Sequence, residues 1–320
     1  MPKIVISRRI FEDAVRKFEA LNWDVDHNIE DIAYSKEILI EKLRSADALI
    51  CLLTDQIDKE VIEAAKNLKI IANVAVGYNN IDVETAKNNQ IIVTNTPDVL
   101  TEATAELTFA LLLATARRVC EAHIYTVAKQ YQGWELFQPH LGVDVFGKTL
   151  GIVGLGRIGQ AVASIAKYGF KMRVLYTDPR SEKRLDDHEL AEYVEWEQFL
   201  KECDFISIHT PLTEHTRHLF NQASFEQMKN SAIIINTARG PIIDEKALAY
   251  ALSTGQIRGA GLDVYEFEPQ IEPDLLKLKE FICLTPHIGS ATKSVREKMC
   301  QIASENVLAV LQGKAPLNPV

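Results

Sequence analysis

The sequence predicts an α/β protein made of two consecutive βα systems, each with a parallel sheet covered on both faces. Three observations carry this. Short apolar runs alternate with helical stretches from end to end, as they do where crossover helices bury parallel strands on both sides. The alternation breaks at Asn95-Thr96-Pro97-Asp98, a candidate hinge. Past it, an apolar run meets a glycine-rich turn at Gly154 and opens a second alternating series. A chain of 320 residues has room for two such domains with real cores.

The elements follow in order. Lys-Ile-Val-Ile at residues 3–6 reads as a short strand, and Phe11 to Leu21 as an amphipathic helix. Ser35 to Ser45 is a second helix, and Ala48 to Leu53 a fully buried strand. Val61 to Ala65 is helical, while Ile70 to Val74 and Ile91 to Thr94 are strands. Thr101 is the expected cap of a long apolar helix reaching about Arg118, with Leu107, Ala110, Leu111 and Ala114 on its stripe. A further helix is expected from Val119 to Gln132. The loop Gly133 to Gly142 then carries Trp134 and Phe137. A covering second subunit and packing on its own domain explain that bulk equally well. After the second series, a final amphipathic helix over about Lys293 to Leu311 is free to return to the first system.

The stretch from Lys148 to Asp178 carries the first chemistry. Thr149 begins an apolar run that ends in Gly154-Leu155-Gly156-Arg157-Ile158-Gly159, and an Ala-rich helical pattern follows. A second apolar run, Met172 to Thr177, ends at Asp178. Strand, G-x-G-x-x-G, helix, strand and terminal acid in that order make the dinucleotide fingerprint. Gly154 allows the tight turn, Gly156 the close approach of a pyrophosphate, and Gly159 the packing of helix on strand. The helix N-terminus offers N–H donors to the phosphates. Asp178 can accept the hydroxyls of an adenosine ribose, which favours NAD over NADP. Arg180, Lys183 and Arg184 follow closely and could instead turn toward a 2′-phosphate.

Composition excludes several alternatives. A net charge of −9 argues against a nucleic-acid partner. The expectation is also of no membrane association, since no apolar run approaches a membrane span and the first residues lack a signal pattern. Cys51, Cys120, Cys203, Cys283 and Cys300 are odd in number and contain no C-x-x-C. They read as buried, reduced thiols of a cytoplasmic protein, with neither a disulfide framework nor a metal site.

Ligands of open α/β sheets gather beyond the C-terminal strand ends. Four polar residues follow strands of the second system: His209, Arg239, Asp263 (leading to Glu268-Pro269) and His287. Singly, each has an ordinary reading as a turn, cap or surface residue. Together an arginine, a glutamate and a histidine near one cofactor make a reaction site. The guanidinium can hold a carboxylate and polarise a carbonyl, and an imidazole steadied by a carboxylate can pass a proton near neutral pH.

These stretches resemble the D-2-hydroxyacid dehydrogenase family over essentially the whole chain. The matching signatures are Gly154 to Gly159, Asn236-Thr237-Ala238-Arg239-Gly240, Gly261 to Pro269, and Thr285-Pro-His287-Ile-Gly289-Ser290. Leu52-Leu53-Thr54, Val74 to Asp82 and Thr96 to Glu106 are similar to the glyoxylate/hydroxypyruvate reductases within it. The resemblance implies a Rossmann-type cofactor domain over residues 99–291. A flavodoxin-like substrate domain is implied from 1–98 plus 292–320, with a cleft between the two and a homodimer built from cofactor domains. Arg239, Glu268 and His287 are implied as catalytic. Leu53 and the backbone of Val76 and Gly77 would join Arg239 around the substrate. Thr104, Gly154, Leu155, Gly156, Arg157, Ile158, Gly159, Asp178, His209, Thr237, Ala238, Asp263 and Gly289 would line the cofactor. Phe137 stands near where some glyoxylate reductases have Trp, and Asp178 stands where NADPH-preferring ones usually lack an acid. The expectation is reversible NAD(H)-dependent reduction of small 2-keto acids to D-2-hydroxy acids. An NAD-sensing binding protein and a dehydrogenase for a bulkier substrate remain the rivals.

Overall fold

The computed structural model describes residues 1–178, 189–280 and 282–320. Arg180, Lys183, Arg184 and Phe281 lie outside the described residues. The chain divides into two compact units, Met1–Leu100 with Ala291–Val320, and Thr101–Ser290.

The first unit alternates β1 (Lys3–Ile6), α1 (Glu12–Glu19), β2 (Asp24–His27), α2 (Lys36–Leu43), β3 (Ala48–Cys51), α3 (Lys59–Ala64), β4 (Ile70–Asn73), α4 (Val83–Asn88) and β5 (Ile92–Thr94). The strands pair in parallel in the order β2-β1-β3-β4-β5, the flavodoxin-like doubly wound order. β3 and β4 are buried throughout, as central parallel strands require, and their side chains feed two cores, one on each face. β2, Asp-Val-Asp-His, has no apolar run because it is an edge strand with only half-buried side chains.

The second unit holds α5 (Thr101–Ala116), α6 (Val119–Val127), β6 (Thr149–Val153), α7 (Arg157–Ser164), β7 (Arg173–Thr177), β8 (Glu192–Tyr193), α8 (Trp196–Glu202), β9 (Phe205–Ile208), α9 (Gln222–Gln227), β10 (Ile233–Asn236), α10 (Glu245–Ser253), β11 (Gly259–Leu262), α11 (Pro273–Lys277) and β12 (Ile282–Leu284). Its seven strands run in parallel in the order β12-β11-β10-β9-β6-β7-β8. Sequence order reverses between β6 and β9, so the switch point lies there. Two cores again cover the faces. The last helix, α12 (Lys293–Leu311), belongs to the first unit and buries Met299, Cys300, Ala303 and Val307 in the core that Ile4, Ile50 and Ala72 also enter.

Several element expectations need correction. Thr101 is the first helical residue of α5, not its cap. The buried side of α5 carries Thr104, Thr108, Leu111, Leu112 and Thr115, while Ala110 is exposed. Ala110 continues the exposed line of Glu102 and Glu106, four residues apart, and threonines can be buried when their hydroxyls bond within the fold. α6 stops at Val127, well short of Gln132, and Lys129 just beyond it is left-handed (φ +58°). Cys120 is only half-buried, unlike the other four cysteines, and its Sγ lies 3.1 Å from that of Cys283. Trp134 and Phe137 are 78% and 84% exposed, while the end of the 133–142 loop is tied to its own unit by Arg118 Nη1 donating to the Pro139 carbonyl at 2.7 Å and by His140 against Tyr125.

Candidate active site

In the second unit most of the expected ligand residues stand just beyond the C-terminal ends of strands, whereas Thr104 lies within α5 and Arg157 to Gly159 open α7. Gly154 follows β6, Asp178 β7, His209 β9, Thr237 to Arg239 β10, Asp263 β11 and His287 β12. This is where sheet polarity puts a site in such a fold.

The fingerprint turn sits at the switch point. The His209 amide donates to the Val153 carbonyl, and the Gly154 amide to Thr177, at 2.8 and 2.9 Å. Gly154 is left-handed (φ +89°), and a Cβ there would lie 2.8 Å from the His209 carbonyl oxygen, so both conformation and space demand glycine. A Cβ on Gly159 would lie 2.2 Å from the Gly154 oxygen, whereas one on Gly156 would meet nothing within 4 Å. Gly156 is thus the N-cap of α7 with an open face. An open cap on a glycine turn, with Leu155, Arg157 and Ile158 around it and half-buried Asp178 ending the neighbouring strand, fits a dinucleotide.

His209 points its Nε2 to Ser207 Oγ at 2.7 Å, and burial drives its pKa down to about 3. It is a neutral ring at physiological pH, fitted for hydrogen bonding and not for charge. On the other side of the sheet centre, Thr237 Oγ1 meets Thr108 Oγ1 at 3.0 Å, and Thr108 donates to the Thr104 carbonyl at 2.8 Å. Thr104 Oγ1 donates in turn to the Gly289 carbonyl at 3.4 Å. Ser207 and Thr108 were not anticipated. Their only signal was a hydroxyl residue inside an otherwise apolar element.

Asp263 is 0% exposed, and its carboxylate accepts three hydrogen bonds from the β12–α12 turn: Thr285 Oγ1 at 2.6 Å, Ile288 N–H at 2.7 Å and Gly289 N–H at 2.8 Å. Its carbonyl accepts from the His287 amide at 2.9 Å. Asp263 therefore shapes the turn that presents His287, in addition to any part in lining a cofactor. His287 is held left-handed (φ +54°), a costly conformation for a residue with a side chain, of the kind that collects at functional sites.

His287 Nδ1 lies 2.9 Å from Glu268 Oε2, and Glu268 Oε1 accepts the Tyr265 amide at 3.0 Å. Burial pushes the Glu268 carboxyl up, but the His287 bond and charge, the Tyr265 N–H and the Arg239 charge outweigh it and hold it below the usual carboxylate range. Burial lowers Arg239, and the Glu268 charge opposes this. The guanidinium is set by Nη1 donating to the Ala238 carbonyl at 2.6 Å, while Asn236 Nδ2 donates to the Arg239 carbonyl at 2.9 Å. A cation, a carboxylate and an imidazole thus share one end of the sheet, ready for proton transfer next to an anion-holding group.

Residues 109–289 match the family described as D-isomer specific 2-hydroxyacid dehydrogenase, NAD binding domain. The chain belongs to this family. It is therefore an oxidoreductase with an NAD-binding domain. It is 46% identical over 323 residues to a glyoxylate reductase of Thermococcus litoralis, covering 100% of this chain and 96% of that one. The crystal structure of a Thermus thermophilus protein superposes with a TM-score of 0.92 at 43% identity, covering 99% of both chains. The NADPH-dependent glyoxylate/hydroxypyruvate reductase of Sinorhizobium meliloti, solved with NADP and malonate, superposes with a TM-score of 0.89 at 28% identity, covering 100% of this chain and 96% of that one.

In the first unit the residues expected near substrate lie on two loops joined by a buried polar network. Asn73 Nδ2 donates to the Gly77 carbonyl at 2.9 Å, and Asn95 Nδ2 to the Val76 carbonyl at 2.8 Å. Asn80 Nδ2 reaches the Leu52 and Asp55 carbonyls at 3.1 and 3.0 Å, and Asp55 accepts from the Leu52 amide and from Ser7 Oγ. Leu53, Val76 and Gly77 are half-buried. Asn73, Asn80 and Asp55 were not anticipated from sequence. A signal was there in the asparagine that closes the apolar run of β4.

Proposed function

We propose that the protein reduces small 2-keto acids, glyoxylate and hydroxypyruvate foremost, to D-2-hydroxy acids, reversibly and with NADH in preference to NADPH. The observation that carries this reading is the Glu268–His287 pair beside Arg239 at the strand ends of a dinucleotide-binding unit. The glyoxylate reductase of Thermococcus litoralis supports the substrate class.

His287 is the proton donor in reduction and the acceptor in oxidation. With Nδ1 engaged by Glu268, Nε2 is the nitrogen that gives its proton to the carbonyl oxygen of the keto acid. Glu268 orients the ring and stabilises the imidazolium. Arg239 holds the substrate carboxylate and carbonyl oxygen, lowering the cost of negative charge on that oxygen as it becomes an alkoxide. The backbone of Val76 and Gly77, with Leu53, is the part of the first unit assigned to substrate. The turn from Gly154 to Gly159 holds the nucleotide phosphates, Asp178 the ribose, and Thr104, His209, Thr237, Ala238, Asp263 and Gly289 the nicotinamide end. The nicotinamide, when bound, supplies the hydride to the carbonyl carbon.

Preference for NADH rests on Asp178, whose carboxylate accepts from ribose hydroxyls and repels a 2′-phosphate. A homodimer is part of the proposal, supported by the bare apolar surface of α6 and the 133–142 loop. A cytoplasmic location agrees with five free cysteines. Purified protein mixed with NADH and glyoxylate tests the reading by loss of NADH absorbance. Tight NADH binding with no turnover on any 2-keto acid would favour a nucleotide-sensing role instead.

A further inference from the structure

Glu268 stands on the segment from Tyr265 to Glu272, which links β11 to α11. A carboxylate remote from the reaction holds this segment. Glu245, 3% exposed, accepts the Glu266 amide on Oε1 at 2.7 Å and the Glu272 amide on Oε2 at 3.0 Å. One side chain thereby closes both ends of the loop that carries Glu268. Glu266 returns the contact, its Oε2 accepting the Glu245 amide at 3.5 Å, and its Oε1 lies 2.6 Å from His218 Nε2. Gly240, the residue after Arg239, packs against the same loop so closely that a Cβ would fall 1.8 Å from the Tyr265 oxygen.

Glu245 is not needed to cap its own helix. Asp244 is the N-cap of α10 and accepts the Lys246 and Ala247 amides at 3.0 Å each. A buried carboxylate carries a desolvation cost, which the two amide hydrogen bonds offset, and in return they fix both amides. Burial, followed by the fields of Glu266 and Glu272, pushes the Glu245 carboxyl up, against the two amide bonds.

We infer that Glu245 is a positioning residue for the reaction: by clamping the Glu266 and Glu272 amides it keeps Glu268 within bonding distance of His287, with His218 bracing Glu266 from the outside. The inference rests on the proposed role of the Glu268–His287 pair. The charged groups facing Glu268 are His287 and Arg239, those facing Glu245 are Glu266 and Glu272, and Tyr265 between them feels Asp263, Glu245 and Glu268.

The test compares Glu245→Gln, Glu268→Gln and the double variant with the parent enzyme in glyoxylate reduction by NADH across pH. A glutamine can accept only one of the two amides. Glu245→Gln should lower kcat by about ten- to a hundredfold, the scale of a small misplacement of catalytic groups. It should move the alkaline fall of kcat to lower pH, as Glu268→Gln should, and leave KM for NADH near the parent value. The double variant should be no slower than Glu268→Gln alone, because both act through one contact. Parent-like kcat and pH profile in Glu245→Gln beside an altered Glu268→Gln, or losses that simply add, would overturn the inference. A parent-like Glu268→Gln would overturn the reading of the pair and the inference with it. Should Glu245→Gln not fold, His218→Asn decides. Asparagine tolerates the left-handed backbone at His218 (φ +50°) but is too short to brace Glu266. A several-fold loss with the same pH displacement is expected, and a parent profile would refute the clamp.

Discussion

At the scale of single residues, His287 is ordered by its surroundings before any substrate arrives. Its backbone is fixed by Asp263 and its ring by Glu268. Because the Glu268 carboxyl is held below its usual range, it is ionised throughout the working pH range. Its contribution to folding is full at neutral pH and is lost only as acid titrates it. Reduction uses the imidazolium, so activity should fall as pH rises. Removing the carboxylate that His287 Nδ1 contacts, with Glu268→Gln, should move that fall to lower pH. His287→Ala should lose about 10²–10⁴ in kcat at every pH. An unmoved profile in Glu268→Gln would count against the pairing. Asp178→Ser gives a second check at this scale. It should narrow the gap in kcat/KM between NADH and NADPH by about tenfold, equal to about 1.4 kcal/mol, and a parent that already prefers NADPH would refute the cofactor assignment. Arg239, Glu268 and His287 could be picked from sequence because each follows a strand within a recognisable stretch. Thr108, Ser207 and Glu245 could not, since their meaning lies in partners that only the folded sheet brings together.

At the scale of elements, burial governs what could be read in advance. β3, β4, β6 and β10 are buried along nearly their whole length, so each shows as an apolar run. β2 and β8 lie at sheet edges with partly wet side chains and leave no such run. The C-terminal helix α12 shows how a distant segment completes a core. Thr292 caps it by accepting the Val295 amide at 3.3 Å, and Met299 is 4% exposed in the core of the first unit. Met299→Ala should therefore cost about 2–5 kcal/mol of stability, the usual range for emptying a packed site of that size. Urea denaturation reads it as a lowered midpoint with an unchanged slope. A cost below about 1 kcal/mol would mean that the helix merely lies on the surface and does not complete the core.

At the scale of the whole molecule, large exposed apolar side chains gather most densely in one stretch, from α6 to the start of β6. α6 buries none of its residues. Ile124 and Val127 on it, Trp134, Leu136 and Phe137 in the following loop, and Phe146 before β6 are each more than 60% exposed. No helix among the described residues is long and apolar enough to cross a membrane, so a lipid-spanning role for α6 is not the explanation. So many large apolar groups within one short stretch of sequence are characteristic of a surface that meets another protein chain. A second copy is the partner that the proposed homodimer supplies, and in a two-fold interface each substitution acts twice. Light scattering of the parent protein should give twice the chain mass at micromolar concentration. The double variant Ile124→Glu, Val127→Glu places four carboxylates in the interface. Each costs several kcal/mol to bury unpaired, more than a typical micromolar association of about 8 kcal/mol can absorb four times over. The variant should scatter as a single chain with its circular dichroism unchanged, because both side chains are already exposed in the protomer. A variant that remains at twice the chain mass would remove this face from the interface, and a parent that scatters as one chain would remove the dimer itself.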